Sequence, residues 1–139
     1  MAQRSQPDAT TATIRVLVVD DDRELLSALE EGLSRAGYEV RVAASGTDAL
    51  ALLEDESSSF DVAVVDLMLP DTWGPQMVVL QAQLQPGLKV IYISGHEDDA
   101  VLKASSNPSG GVAFLSKPFK LDDLIQLIRR EVGTSVGKP

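Results

Sequence analysis

The chain contains no cysteine, one histidine and few aromatic side chains, which make up 4% of its 139 residues. Without cysteine, a disulfide framework and a thiolate site are both excluded. No apolar run approaches the ~18 residues that a membrane-spanning helix requires, and the polar stretch that opens the chain lacks the apolar core of a signal peptide. We therefore expect a cytoplasmic protein that does not insert into a membrane.

Positive charge is also scarce. The chain has 12 basic residues against 21 acidic ones, which gives a net charge of -9 at pH 7. Because such a surface repels nucleic acids and anionic membranes, we expect neither to be a partner. Hydrophobic residues make up 44% of the chain, which is sufficient for one domain with a buried core.

The sequence does contain a regular alternation of apolar strands and amphipathic helices. Continuous apolar runs predict five strands, over Ile14–Val19, Tyr38–Val42, Val62–Asp66, Val90–Ser94 and Val112–Ser116. Strands of this kind are typical of a parallel sheet that is covered on both faces. The pattern predicts one α/β domain over 14–132, with a flexible extension over 1–13 and a tail over 133–139.

Local signals predict where the helices begin and end. Asp22 is interpreted as the N-cap of the first helix, which Gly37 ends, and Ser45 opens the second helix. Asp71, in the loop after the third strand, is interpreted as a solvated carboxylate. Further helices are predicted over Gly74–Leu84, over Asp98–Ala104 and from Leu121 to Gly133.

Residues that phosphoryl chemistry uses stand at the ends of four strands. Asp20 and Asp21 follow the first strand, and Asp66 ends the third. Ser94 ends the fourth strand, and Lys117 follows the fifth. Because the carboxyl ends of neighbouring parallel strands converge on one crevice, these side chains are predicted to meet. Carboxylates a few Å apart repel by roughly 4 kcal/mol per pair at an effective dielectric of 20, so the cluster favours a divalent cation.

Five motifs, in order along the chain, resemble those of the receiver domain of two-component signalling: VLVVDDD, VVDLMLP, Gly74, YISGH and FLSKPF. The resemblance covers about Ile14 to Val132. It implies a flavodoxin-like (βα)5 fold, a doubly wound parallel sheet with strand order 2-1-3-4-5. The pairing of SGH with GGVAFLSKPF is similar to the receivers of hybrid sensor histidine kinases.

The resemblance implies roles in phosphoryl transfer. Asp66 is expected to take a phosphoryl group from a phosphohistidine of a sensor histidine kinase or a histidine phosphotransfer domain, and to hold it as an acyl phosphate. Lys117 and Ser94 are each expected to bind a phosphoryl oxygen. A cis peptide bond between Lys117 and Pro118 is also implied.

The resemblance further implies a Mg²⁺ site and no organic cofactor. The expected ligands are the carboxylates of Asp20, Asp21 and Asp66 and the backbone carbonyl of Met68. Mg²⁺ prefers oxygen ligands and keeps several waters, so a few carboxylates together with phosphate oxygens suit it.

The resemblance also implies a conformational switch and a control of the lifetime of the acyl phosphate. Phosphorylation is expected to draw the hydroxyl of Ser94 inward, and the ring of Phe114 then fills the space that is left. The side chains of Met68 and His96 stand two positions after Asp66 and Ser94 and are expected to flank the water that hydrolyses the acyl phosphate. An exposed loop side chain is the alternative interpretation of His96.

Two other functions fit part of this pattern. A haloacid-dehalogenase-like phosphohydrolase uses similar groups, but it has a second Asp two residues after the nucleophile, where this chain has Met68. A pseudo-receiver, an interaction module without phosphorylation, does not need all of the motif residues found here. We therefore expect a non-enzymatic signalling module that controls a downstream effector protein and is a monomer or a weak homodimer.

Overall fold

The computed structural model describes residues 13–55, 59–69, 71, 84–95 and 113–132. The strands in these ranges are β1 (Arg15–Val19), β2 (Glu39–Ala43), β3 (Val62–Asp66), β4 (Lys89–Ser94) and β5 (Ala113–Ser116). The helices whose bounds lie in these ranges are α1 (Arg23–Arg35), α2 (Gly46–Glu54) and α3 (Leu121–Val132). Leu84 is also helical.

The strands form one parallel sheet in the order β2-β1-β3-β4-β5. The central strands β1 and β3 are apolar along nearly their whole length, and their side chains are buried on both faces. Numbered along the chain, this order is 2-1-3-4-5, so the predicted fold class and strand order are confirmed.

Side chains that alternate along the strands divide the core into two layers. On one face, Val16 and Val18 belong to a cluster with the apolar sides of α1 and α3. On the other face, Leu17 and Val19 belong to a cluster with α2. Because full burial of such a side chain contributes about 1.5–3 kcal/mol, the two clusters hold the sheet between its helices.

Both ends of α1 are formed as the sequence predicts. The side chain of Asp22 accepts hydrogen bonds from the backbone N–H groups of Glu24 and Leu25, at 3.1 and 3.2 Å. At the other end Gly37 has a φ of +103°, which favours glycine, and its N–H donates to the carbonyl of Ser34 at 3.0 Å. The acidic loop after β1 therefore leads into a helix with a fixed start.

Several strand bounds differ from the prediction by one residue, among them the end of β2, which is Ala43 and not Val42. The strand β1 begins at Arg15 and not at Ile14, and β4 begins at Lys89 and not at Val90. The strand β2 begins after Tyr38, because the Tyr38 N–H donates to a carbonyl of α1 at 3.1 Å and takes part in the helix end instead of the sheet. Hydrogen-bond partners, more than apolarity, thus set where a strand begins.

Some predictions fall outside the described residues. They are the terminal segments 1–12 and 133–139, the helix over Asp98–Ala104, most of the helix over Gly74–Leu84, and His96. Among the described residues, no helix has the length and apolar character needed to cross a membrane.

Candidate functional site

The predicted site residues lie at one edge of the sheet, where the strands end. Asp66 is the last residue of β3 and Ser94 is the last residue of β4. Asp20 and Asp21 follow β1, and Lys117 follows β5. Carboxylate oxygens of the three aspartates all lie within 4.8 Å of one another. The structure therefore brings the three acidic residues together, as expected from parallel strands.

Two of the three carboxylates are buried, and a backbone N–H group orients each of them. Asp20 is 0% exposed and Asp66 is 6% exposed, whereas Asp21 is exposed. The Asp22 N–H donates to Asp20 Oδ1 at 2.9 Å, and the Met68 N–H donates to Asp66 Oδ1 at 2.9 Å. In both cases the Oδ2 atom is left to face the crevice.

Lys117 lies between the two buried carboxylates. Its Nζ is 2.9 Å from Asp20 Oδ2 and donates a hydrogen bond to Asp66 Oδ2 at 3.1 Å. The backbone N–H of Lys117 donates to the carbonyl of Ser94 at 2.7 Å, which joins the lysine to the end of β4. The peptide bond between Lys117 and Pro118 is cis, as the family resemblance implies.

These contacts shift the pKa values of the groups involved. Burial raises the pKa of Asp66, and the charge of Asp20 acts in the same direction, whereas the Met68 N–H and Lys117 oppose the rise. Burial also lowers the pKa of Lys117, but its contacts with Asp20 and Asp66 outweigh burial and raise it. The ammonium therefore stays charged, and it compensates only part of the negative charge in the crevice.

The acidic residues fit a hard divalent cation. Asp20 Oδ2 is buried and forms an ion pair with the Lys117 ammonium at 2.9 Å. One ammonium does not neutralise three neighbouring carboxylates, and the negative charge that is left favours a bound cation. Asp21 lies on the exposed side of the cluster, where the waters that Mg²⁺ retains have room.

The other predicted site residues lie near this edge or outside the described ranges. Ser94 is 1% exposed, whereas the side chain of Met68, beside Asp66, is 52% exposed. Phe114 is half-buried in β5, and its ring stacks on that of Tyr92 in β4, with the centroids 6.0 Å apart. The sequence analysis missed this stack, because it depends on the register that sets Tyr92 opposite Phe114.

Asp71 has contacts that its interpretation as a solvated carboxylate does not include. Its side chain is exposed, but it accepts hydrogen bonds from the N–H of Gly46 at 2.9 Å and from the N–H and hydroxyl of Thr47 at 2.9 and 2.7 Å. The Thr47 hydroxyl first, and then the two N–H groups, lower the pKa of Asp71 to about 2. That interpretation was therefore incomplete, because the partners are 24 and 25 residues away in the sequence.

The fold and the site define a class of protein, a doubly wound parallel α/β domain with an acidic crevice and a lysine at the carboxyl edge of its sheet. The family model described as the response regulator receiver domain matches residues 16–129. The chain belongs to this family, as its motifs indicated. It is a receiver domain of two-component signalling, a class of signalling module that interacts with histidine kinases.

Named relatives agree with this assignment. The sensor kinase CckA of Brucella abortus (strain 2308) is 32% identical over 115 residues, which are 82% of this chain and 12% of the kinase. The response regulator receiver protein CpdR of the same strain is 30% identical over 116 residues, which are 84% of this chain and 94% of CpdR. Several relatives are much longer, and the chain spans 12% to 25% of their length.

A solved structure shows the same similarity in three dimensions. The crystal structure of a CheY-like response regulator receiver domain protein from Methanospirillum hungatei JF-1 has a TM-score of 0.73 and 31% sequence identity. The match covers 87% of this chain and 94% of that one. The likeness therefore extends over nearly the whole of both domains.

Proposed function

We propose that this receiver domain accepts a phosphoryl group on Asp66 from a phosphohistidine of a sensor histidine kinase or a histidine phosphotransfer domain. Phosphorylation then changes its conformation and controls a downstream effector protein. The observation that carries this proposal is the position of Lys117 Nζ, 2.9 Å from Asp20 Oδ2 and 3.1 Å from Asp66 Oδ2, inside an acidic crevice. Carboxylate nucleophile, cation site and phosphate-binding lysine are then within reach of one phosphorus atom.

The transfer step follows from these positions. An oxygen of Asp66 attacks the phosphorus, the new P–O bond forms as the P–N bond to imidazole breaks, and the imidazole nitrogen keeps the electron pair of that bond. The Met68 N–H, which donates to Asp66 Oδ1, holds the carboxylate in a fixed orientation. Lys117 neutralises charge on a phosphoryl oxygen, which is the main catalytic requirement of such transfers.

Mg²⁺ is proposed to bind the acidic side of the crevice. Asp20, Asp21, Asp66 and the backbone carbonyl of Met68 would hold it, since the three carboxylates already lie together. When bound, the ion neutralises part of the charge on the phosphoryl group. Asp20 would then exchange part of its contact with Lys117 for the ion, which frees the ammonium for the incoming phosphate.

The switch is proposed to use Ser94 and Phe114. The carbonyl of Ser94 accepts a hydrogen bond from the backbone N–H of Lys117, so a movement of one residue should displace the other. Phe114 lies in β5, three residues before Lys117, which follows that short strand. Met68 and His96 are proposed to set the lifetime of the acyl phosphate by flanking the approach of water.

The replacement Asp66→Asn tests the phosphoacceptor. It keeps the shape of the side chain and removes the nucleophile, so uptake from acetyl phosphate with Mg²⁺ should fall to background in intact-protein mass spectra while the fold is retained. Asp122→Asn, at an exposed position on α3, is the matched control and should be labelled like the wild type. Equal labelling of Asp66→Asn would refute the assignment.

The same incubation separates the proposal from its two alternatives. A single, stable phosphate on the wild type supports a receiver. Repeated turnover of the donor would indicate a phosphohydrolase, and no uptake from either acetyl phosphate or a phosphorylated kinase would indicate a pseudo-receiver.

A further inference from the structure

Asp71 joins the loop that follows the phosphoacceptor to the start of α2. Its two carboxylate oxygens accept three hydrogen bonds, from the N–H groups of Gly46 and Thr47 and from the Thr47 hydroxyl, at 2.7 to 2.9 Å. Hydrogen bonds to an ionised carboxylate are about twice as strong as neutral ones. We refer to this set of contacts as the Asp71 clamp.

The clamp holds one end of a short loop whose other end is fixed in the sheet. The loop leaves β3 after Asp66, and the Leu67 N–H donates to the carbonyl of Ile93 at 2.9 Å. The side chain of Leu69 is buried in the core cluster beside α2. Between these attachments lies Met68, whose N–H is bonded to Asp66 Oδ1. The path of the Met68 backbone therefore depends on where the loop is held.

The start of α2 is also tied to the acidic pair, Asp20 and Asp21. The Asp20 N–H donates to the carbonyl of Ala43, the last residue of β2, at 3.1 Å. Three residues later α2 begins, and Ser45 caps it by accepting the Asp48 N–H at 3.1 Å. The segment over residues 43–47 thus contacts the loop of Asp20 on one side and, through the clamp, the loop of Met68 on the other.

We propose that the Asp71 clamp is a positioning device that sets the Met68 carbonyl relative to the acidic pair, and thereby sets the affinity for Mg²⁺. This inference rests on the proposed function, because it assumes that Mg²⁺ binds between these loops. Asp71 itself is not proposed as a Mg²⁺ ligand. It holds the loop, and through the loop one of the ligands, as outer partners of metal ligands commonly do.

The decisive measurement is the dissociation constant for Mg²⁺ of the full chain, from an NMR titration of backbone amides. Asp71→Asn, which removes the charge and part of the accepting capacity, should weaken binding about tenfold, the lower end of the range for outer partners of metal ligands. Thr47→Val, which keeps every charge and removes one hydrogen bond, should weaken it about threefold. Thr47→Ser retains the hydroxyl and should restore the wild-type value.

A charge control separates geometry from simple electrostatics. Asp48→Asn removes one negative charge from the same first turn of α2 without touching the clamp, and its Mg²⁺ affinity should stay close to that of the wild type. If Asp48→Asn weakens binding as much as Asp71→Asn does, charge alone explains the effect and the clamp hypothesis is wrong.

A purely structural role gives a different pattern. Asp71→Asn and Thr47→Val would then lower the melting temperature of the chain while the Mg²⁺ affinity remained that of the wild type, which would overturn the inference. If Asp71→Asn fails to fold, the Thr47 pair alone decides the question. Failure of the proposed function itself looks different again, since the wild type would then show neither Mg²⁺ binding nor phosphorylation.

Discussion

At the scale of single residues, the crevice depends on Lys117. Its ammonium contacts Asp20 Oδ2 at 2.9 Å and Asp66 Oδ2 at 3.1 Å, and both carboxylates are almost completely buried. A buried charge that loses its partner is strongly destabilising. If Mg²⁺ binds as proposed, the same ammonium competes with it for Asp20. We therefore expect Lys117 to stabilise the domain without the metal and to weaken the binding of the metal.

The replacement Lys117→Met tests both effects of the lysine, on stability and on Mg²⁺ affinity. Removing a positive charge a few Å from the acidic cluster should tighten Mg²⁺ binding at least about tenfold, because like charges a few Å apart repel by roughly 4 kcal/mol at an effective dielectric of 20. Stability without Mg²⁺ should fall at neutral pH, and phosphoryl transfer should be impaired. Calorimetric titration measures the affinity, and Lys120→Met, at an exposed position, is the control. Unchanged Mg²⁺ affinity in Lys117→Met would contradict the competition.

At the scale of secondary-structure elements, α1 and α3 pack closely at Gly32. A Cβ atom added there would lie 2.5 Å from Leu121 Cδ2, so a side chain requires Leu121 to move. Glycine inside a helix is unfavourable by about 1 kcal/mol relative to alanine. The glycine thus allows a close approach between the first and last described helices, at the expense of the intrinsic stability of α1.

A double-mutant cycle separates these two effects. Gly32→Ala should change the free energy of unfolding little in the wild type, because the gain in helix propensity is offset by displacement of Leu121. In a Leu121→Ala background the same substitution should stabilise the domain by up to about 1 kcal/mol. Urea unfolding curves measure all four proteins. An identical effect of Gly32→Ala in both backgrounds would show that Leu121 does not restrain this position.

At the scale of the whole molecule, the proposed binding of Mg²⁺ should be linked to folding. The carboxylates come from two distant parts of the chain, the loop after β1 and the end of β3, and they meet only when the sheet is formed. An ion that binds only the folded state stabilises it by RT ln(1 + [L]/Kd), which is ~2.7 kcal/mol at a hundredfold excess over Kd. Mg²⁺ should therefore raise the melting temperature of the wild type.

Asp20→Asn is the variant that makes this melting experiment specific. It removes one buried ligand charge, so the rise with Mg²⁺ should be much smaller in differential scanning calorimetry. A wild-type melting temperature indifferent to Mg²⁺, or an equal rise in Asp20→Asn, would count against the site.

Much of this architecture was predictable from the sequence, for a physical reason. Strands buried on both faces must be apolar throughout, so β1 and β3 stand out as continuous runs that end in Asp20 and Asp66. The partners of Asp71 and of Phe114 were not predictable in this way. They depend on register and on loop paths across distant parts of the chain, and a pattern of local residue types carries no information about either.

The order of the acidic residues and the lysine along the chain also has a consequence during synthesis. Both buried carboxylates, Asp20 and Asp66, are made well before Lys117 and the strand β5 that leads to it. Because a nascent chain emerges from the ribosome with its N-terminus first, these two carboxylates lack Lys117 as a counter-ion until β5 pairs with β4. A translation product that stops short of β5 would therefore carry Asp66 without Lys117, and it would lack the edge strand that completes the sheet.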